Sequence, residues 1–409
     1  MKQHSMKNIL GSWGRLPIML SRHNSQSDQN KGLTDLMSAI VREDTELIKA
    51  LIESGADLEA RDRQGQNALY HAFPDILMPK TLEILQLLLS SGINVNSSLD
   101  GDGCSALVTA IVLDWPEVIA LLLDYGVDIN EDAMAKSTGS LRSDSAFETN
   151  LERIAATSQF IFSKGCGHTV TPLLCAVMYQ KERIVDMLLK ANASCQRPSY
   201  GTFWRAAGSS VCSSCDVQVT PLHMAAYLGN LRVAHTLIQA KDNSVQNHEP
   251  LHAYSNFLND ITPLWFALLQ GHEHIVKLFL SFGKPVVLAC HFGSGLQICL
   301  EEGHTGSALM LLRAGYDLND DMEWIEDENY PSSDKEVIER IESLVNDPRP
   351  LLDWCASSLR DKFGLALDDY LSEVGAPQKV CDILNFNDLS KASWQRGLQK
   401  LRQLSISDS

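Results

Sequence analysis

Thr220 to Ala240 reads TPLHMAAYLGNLRVAHTLIQA. Its first two residues suit a helix start: a threonine oxygen can accept an orphan backbone N–H, and proline at the first helical position has none to leave unpaired. The apolar residues Leu222, Ala225 and Ala226, then Val233, Leu237 and Ile238, recur at three and four positions. That spacing predicts two short amphipathic helices, neither of which could stand alone.

The same order of residues returns along the chain. TPLLCAVMYQKERIVDMLLKANA begins at Thr171 and TPLWFALLQGHEHIVKLFLSFG at Thr262. Weaker copies are LMSAIVREDTELIKALIESGADLEARD from Leu36, NALYHAF from Asn67, SALVTAIVLDWPEVIALLLDYGVDIN from Ser105 and SGLQICLEEGHTGSALMLLRAGYDLN from Ser294. Gly55, Gly92, Gly126, Gly283 and Gly315 each follow a second apolar run, where a left-handed helix stop suits glycine. Asp62 to Gly65 and Asp100 to Gly103 place Asp and Gly at turn positions, as a hairpin finger between units requires.

A period near 33 residues built this way closely resembles the ankyrin repeat, and the resemblance covers roughly residues 31–320. The helix starts at 67, 105, 171, 220, 262 and 294 are separated by 38, 66, 49, 42 and 32 residues, so insertions are expected. Residues 131–170 hold either an insertion or a degenerate repeat with LERIAATSQFIF as its helix. Residues 194–218, rich in Ser and Gly, read as a long finger loop, a place where contacts often reside. Residues 1–30 are expected to form a flexible N-terminal tail.

Beyond Asn319 an acidic linker, DDMEWIEDENYPSSDKE, leads to a helix expected from about Asp334 to Val345. Ser333 and Glu336 form a potential capping box, and Val337, Ile338, Ile341, Leu344 and Val345 one apolar face, predicted to pack on the last repeat. Linker and helix together occupy 321–348. From Pro350 to Leu389 runs PLLDWCASSLRDKFGLALDDYLSEVGAPQKVCDILNFNDL. Here Pro350, Leu351, Cys355 and Leu359 resemble the elongin-binding pattern of a SOCS box. The last three recur every four residues and would gather on one helix face as an apolar anchor.

Such a box at 349–389, behind an ankyrin array, resembles the ankyrin repeat and SOCS box family. The fold this implies is all-α: an ankyrin-repeat solenoid of helix-turn-helix units with short hairpin fingers, then a small helical SOCS-box-like domain. The function it implies is that of a substrate-recognition adaptor of an elongin-cullin ubiquitin ligase, itself non-catalytic. The box would bind elongin C in its complex with elongin B, its second half would help select cullin 5, and the array would capture a protein substrate. The Leu-Pro-x-Pro run of the family is replaced by Val374, Gly375, Ala376 and Pro377, while Val380, Ile383, Leu384 and Phe386 keep the downstream spacing. The expected cullin-facing residues are therefore Val374, Ala376, Pro377, Val380, Ile383 and Leu384. An ankyrin scaffold that recruits no ligase is the alternative. The tail at 390–409, with Trp394, Leu398, Leu401 and Leu404 at helical spacing, is expected to be a docking helix.

Composition narrows the remaining classes. With 44% hydrophobic residues the chain can bury a core, and its longest apolar runs, Ile84 to Leu89 and Ile119 to Leu123, fall well short of a membrane span. The N-terminus lacks the apolar core of a secretory signal. Ten scattered cysteines in so long a chain suggest reduced thiols and a cytoplasmic or nuclear location. A net charge of −17 argues against nucleic-acid binding. Cys212 and Cys215 make a single C-x-x-C pair near Cys166, His168 and Cys195. A strong zinc signal would repeat the pair, and a zinc-dependent enzyme in the 194–218 loop would need stoichiometric zinc in the purified protein; no metal or cofactor is expected. His223 falls where an imidazole bridges neighbouring repeats, and His272 and His274 sit at an inter-helix turn, so all three read as structural.

Overall fold

The computed structural model describes residues 32–134 except 75–76, 78, 102 and 132, together with 160–161, 169–207, 211–240, 261–281, 293–326, 335–346, 351–363 and 366–386. The contacts divide the chain into two units, one of residues 1–94 and 99–101, the other of 95–98 and 102–409.

The first unit contains α1 (Asp35–Val41), α2 (Thr45–Glu53), α3 (Ala68–His71) and α4 (Pro79–Ser90). Side chains cap the first three: Thr34 accepts from Met37 N, Asp44 from Leu47 N and Asn67 from Tyr70 N. Leu36, Met37, Ile48, Leu69, Leu85 and Leu88 fill the core. The finger between α2 and α3 is tied by Asp62, whose Oδ1 accepts the backbone N–H groups of Gln64 (2.8 Å) and Gln66 (2.9 Å). Its other oxygen lies 3.2 Å from His71 Nε2, and Gly65 supplies the positive φ of +77° that the turn demands.

In the second unit five helix pairs follow: α5 (Ala106–Leu113) with α6 (Pro116–Asp124), α7 (Pro172–Met178) with α8 (Glu182–Lys190), α9 (Pro221–Leu228) with α10 (Leu231–Gln239), α11 (Pro263–Gln270) with α12 (Glu273–Leu280), and α13 (Gly295–Glu301) with α14 (Thr305–Ala314). The first helices pack in series, α5 on α7, α7 on α9, α9 on α11 and α11 on α13, and the second helices do the same. Ser105, Thr171, Thr220, Thr262 and Ser294 each cap a first helix, accepting the N–H three residues on at 3.0–3.4 Å. Gly126 and Gly315 take the expected left-handed stop, as do Gly55 and Gly92 in the first unit. Gly283 lies outside the described residues.

One expectation needs correction. The first helices are not amphipathic: every residue of α7 is buried, as are Pro221–Tyr227 of α9 and Pro263–Leu269 of α11. Each has a first helix on either side and its own partner behind it, so no face is left for water. Amphipathicity belongs to the second helices, where Ile184, Val185 and Leu188, or Val233, Ala234 and Leu237, face inward. Cys175 and Cys299 are sealed inside this stack.

The array is helical in the main, but 194–218 is not an irregular loop. β4 (Ser199–Ala207) and β5 (Val211–Val219) form an antiparallel hairpin in register from Ser199↔Val219 to Ala207↔Val211. Tyr200, Thr202, Phe203 and Trp204, and Val211, Val217 and Val219, favour extended backbone and outweigh the Ser and Gly around them. Upstream, β1 (Ala133–Met134) pairs with β3 (Thr169–Val170), and β2 (Phe160–Ile161) pairs with β4. Thr171 N donates to Ser199 Oγ (3.2 Å), tying the base of the hairpin to the start of α7.

After α14 come a 3₁₀ turn (Asn319–Asp321), α15 (Met322–Glu326), α16 (Lys335–Asn346), α17 (Leu351–Phe363), α18 (Leu367–Glu373) and α19 (Gln378–Leu384). α16 lies within a residue of its expected limits and packs on α14, burying Val337 and Ile341, with Ile338 half-buried. The side chains of Leu344 and Val345 and the Ser333–Glu336 capping box lie outside the described residues. The last three helices enclose their own small core of Ala356, Leu367, Leu371 and Leu384.

Candidate protein-interaction surfaces

The junctions between repeats are built on imidazoles. His223 Nδ1 accepts the backbone N–H of Thr220 (3.3 Å) and lies 2.8 Å from its hydroxyl, which leaves the ring proton on Nε2. Nε2 donates to the Ile261 carbonyl at the entrance to the next repeat (3.1 Å). The ring is 1% exposed, and burial pushes its pKa down to about 4, against the opposing pull of that carbonyl. A neutral imidazole that is both acceptor and donor here is a joint, not a catalytic base.

His272 Nε2 donates to the Tyr227 carbonyl (3.1 Å) and His274 Nε2 to that of Gly229 (3.0 Å), so the turn of one repeat is pinned to the turn before it. His304 repeats the device on Leu269 O (3.1 Å). Burial lowers the pKa of His272, with smaller contributions in the same direction from His274 and His304. Sequence reading passed over His304, although the dipeptide Gly303-His304 copies Gly271-His272. Along the second helices, Arg232 spans back to Glu182 (2.5 Å) and Asp186 (2.6 Å), and Lys181 to Asp114 (2.7 Å).

At the C-terminal end, α17 is held from two sides. Asp353 receives Arg340 (2.8 Å) and Arg313 (3.4 Å), while Ser357 Oγ donates to the Ala314 carbonyl (3.2 Å), joining α17 to the last repeat. Arg360, 1% exposed, donates to the carbonyls of Leu384 (2.8 Å) and Ile383 (3.1 Å) and lies 3.8 Å over the Phe386 ring. It thereby closes α19 onto α17. Phe363 and Tyr370 stack at 4.0 Å across the α17–α18 corner.

The sequence-selected residues of this box are distributed as follows. Pro350 and the side chain of Leu351 lie outside the described residues. Cys355 is exposed, and Leu352, not singled out from sequence, is 53% exposed one turn away. Leu359 and Ala376 are partly buried against the box core. Val374 and Val380 are exposed at 55% and 40%, Pro377 is exposed at the start of α19, and Ile383 is half-buried. Leu384 is 3% exposed, a core residue, because Arg360 draws the end of α19 into the box.

A family profile described as ankyrin repeats matches three times, over residues 15–98, 36–133 and 222–322, together more than half of the sequence. The chain belongs to the ankyrin-repeat family. As an ankyrin-repeat protein it carries a protein-interaction scaffold, an array that binds a protein partner. The first match begins at residue 15, within the segment expected as an N-terminal tail. The pair α7–α8 falls between matches yet has the same threonine cap, the same Pro172 at the first helical position and the same neighbours as its matched counterparts.

Three other observations bear on chemistry. Among the described residues no group of three or more His, Cys, Asp and Glu side chains is placed to hold a metal ion. Cys212 and Cys215 fall on β5, and their side chains lie outside the described residues. Among the described residues no helix is long and apolar enough to cross a membrane.

Proposed function

We propose that this ankyrin-repeat protein is the substrate-recognition adaptor of an elongin-cullin ubiquitin ligase. The array holds a target protein and the C-terminal helical box holds elongin C, with its partner elongin B, and a cullin. The mechanism is proximity: two binding events raise the effective concentration of target and ubiquitin-transfer machinery, with no chemistry on this chain.

The observation that carries the reading is the division of α17 into two sides. Asp353, Ser357 and Arg360 are buried and anchored, while Leu352 and Cys355 turn to solvent. A short helix fixed along one side and showing Leu and a thiol on the other is suited to entering an apolar groove on a partner. Val374, Pro377 and Val380 form a second exposed set around the start of α19, suited to a cullin contact. Leu384 has the different task of holding the box together.

Co-purification of the full chain with elongins B and C tests the proposal. Capture by the wild type, and its loss in Leu351→Ala plus Cys355→Ala with folding intact, is the expected result. Absence of capture, or capture indifferent to the double substitution, sinks it. The second reading, a scaffold whose box only stabilises the array, draws on the bonds from Ser357 and Asp353 to the last repeat. It predicts folding defects on box substitution and no elongin in the eluate.

A further inference from the structure

The first helices α7, α9 and α11 offer a partner little. Every residue of α7 is buried, as are Pro221–Tyr227 of α9 and Pro263–Leu269 of α11, so in these repeats the exposed helical side chains are those of the second helices. On that side a groove of about 880 Å³ runs past α10 and α12 to the helical box, within the size range of ligand clefts. Its box wall, Leu367, Leu384 and Phe386, is 1–3% exposed and serves only as a firm back. The apolar surface that a partner could reach lies on the array wall, where Leu231 is 42% exposed and Leu278 is half-buried.

Leu231 departs from its counterparts. It is the first residue of α10, and the first residues of α8 and α12 are Glu182 and Glu273. A carboxylate suits a helix N-terminus, so leucine forgoes that stabilisation and sets an apolar side chain in water. The groove gains an apolar knob and loses a negative charge. The charge balance of the chain is also reversed here. Lys and Arg number 34 against 51 Asp and Glu in the whole sequence, whereas the described lining of the groove has Arg232 and Lys277 against Asp368. Asp368 already accepts from Asn385 (2.7 Å). Arg232 shares its charge with Glu182 and Asp186, neither of which lines the groove.

We propose that this groove binds an acidic peptide segment of the target protein, with an apolar side chain against Leu231 and Leu278 and neighbouring carboxylates meeting Lys277 and Arg232. The target is then selected on the second-helix side of the array, by charge sign as well as by shape. This rests on the array as the target-holding part of the adaptor, and stands apart from elongin capture by the box.

The test selects a phage-displayed library of random dodecapeptides on the full chain and measures the enriched peptides, made with a fluorophore, by polarisation. The enriched sequences are expected to carry at least two carboxylates beside a Leu, Ile or Phe. Leu231→Glu, which installs the residue type of α8 and α12 at an exposed position, should weaken their binding at least tenfold while the urea midpoint stays at or above that of the wild type. Lys277→Gln should weaken it at least threefold, and salt raised from about 50 to about 500 mM should weaken it further. Leu47→Glu, at a leucine 42% exposed on α2, should bind as the wild type does. Elongin capture by Leu231→Glu should stay at the wild-type level, so loss of the peptide and loss of the ligase contact are read separately. The proposal is overturned if the enriched peptides are basic or uncharged, or if acidic ones bind Leu231→Glu and Lys277→Gln as they bind the wild type. It is overturned equally if nothing is enriched, the result that a groove filled by this chain or by a second copy would give.

Discussion

The imidazole of His272 occupies the space that a side chain on Gly229 would need. A Cβ built there would lie 2.7 Å from the ring, while the ring donates to the carbonyl of Tyr227 two residues before. The turn of one repeat and the helix start of the next are therefore fitted to each other, and Gly271 stands in the same relation to His304. Glycine is required at these turns twice over, by backbone conformation and by the neighbour's ring.

Gly229→Ala should destabilise the array by about 2–4 kcal/mol, the strain of φ +74° added to the clash with His272. Gly126→Ala, at a similar φ of +75° but with nothing within 4 Å, should cost only about 1 kcal/mol. Urea denaturation of the two variants beside the wild type checks the difference, and equal losses would show that the ring does not constrain the turn.

Acid should loosen the junctions. The His223 pKa is about 4 in the fold against an ordinary 6.5, so its contribution is fully present above 6.5 and is lost as pH falls toward 4. Between pH 7 and pH 5 this amounts to about 2 kcal/mol, and the lowered pKa of His272 acts in the same direction. Denaturation midpoints across this range should slope downward with acid. In His223→Asn the slope should flatten, whatever the variant's stability at pH 7.

Asp353→Ala removes the common acceptor of Arg313 and Arg340 at a site where the carboxylate is 7% exposed, and should cost about 1–3 kcal/mol. Amide exchange should quicken in α16 and α17 and stay unchanged in α7 and α9. Uniform acceleration through the array would contradict a local joint.

Leu384→Ala should open the box core at a cost of about 2–4 kcal/mol. Val380→Asp, on the same helix but 40% exposed, should change stability by less than about 0.5 kcal/mol. On the adaptor reading only the second would reduce cullin affinity, by at least tenfold, without loss of fold. Calorimetry paired with a cullin pull-down separates the two.

The caps were the most legible part of the sequence. Ser105, Thr171, Thr220, Thr262 and Ser294 reveal themselves because a helix start is a local event, governed by one oxygen and an N–H three residues on. The hairpin at 199–219 was less so, since Ser and Gly among aromatic and β-branched residues weigh for loop and strand alike. The 66-residue step to Thr171 left two readings open. The packing of α5 directly on α7, with β1 meeting β3 at the ends of the segment, favours an insertion. Arg360 could not be anticipated, because the carbonyls it serves lie 23 and 24 residues further on and only the closure of three helices brings them to it. Leu384 was misplaced among partner-facing residues for the same reason: spacing gives a helix its faces but does not say which of them a short domain turns inward.

The buried thiols of the stack give the array a built-in clock. Burial raises the Cys175 pKa to about 12 and that of Cys299 higher still, so neither offers a thiolate to a reagent while its helix pair stays closed, whereas Cys355 stands in solvent. Alkylation of the full chain would therefore tick at separate rates: Cys355 first, then Cys175 and Cys299 only as often as α7 or α13 parts from its neighbours. The order in which those two are labelled reports whether α7 or α13 parts from its neighbours first.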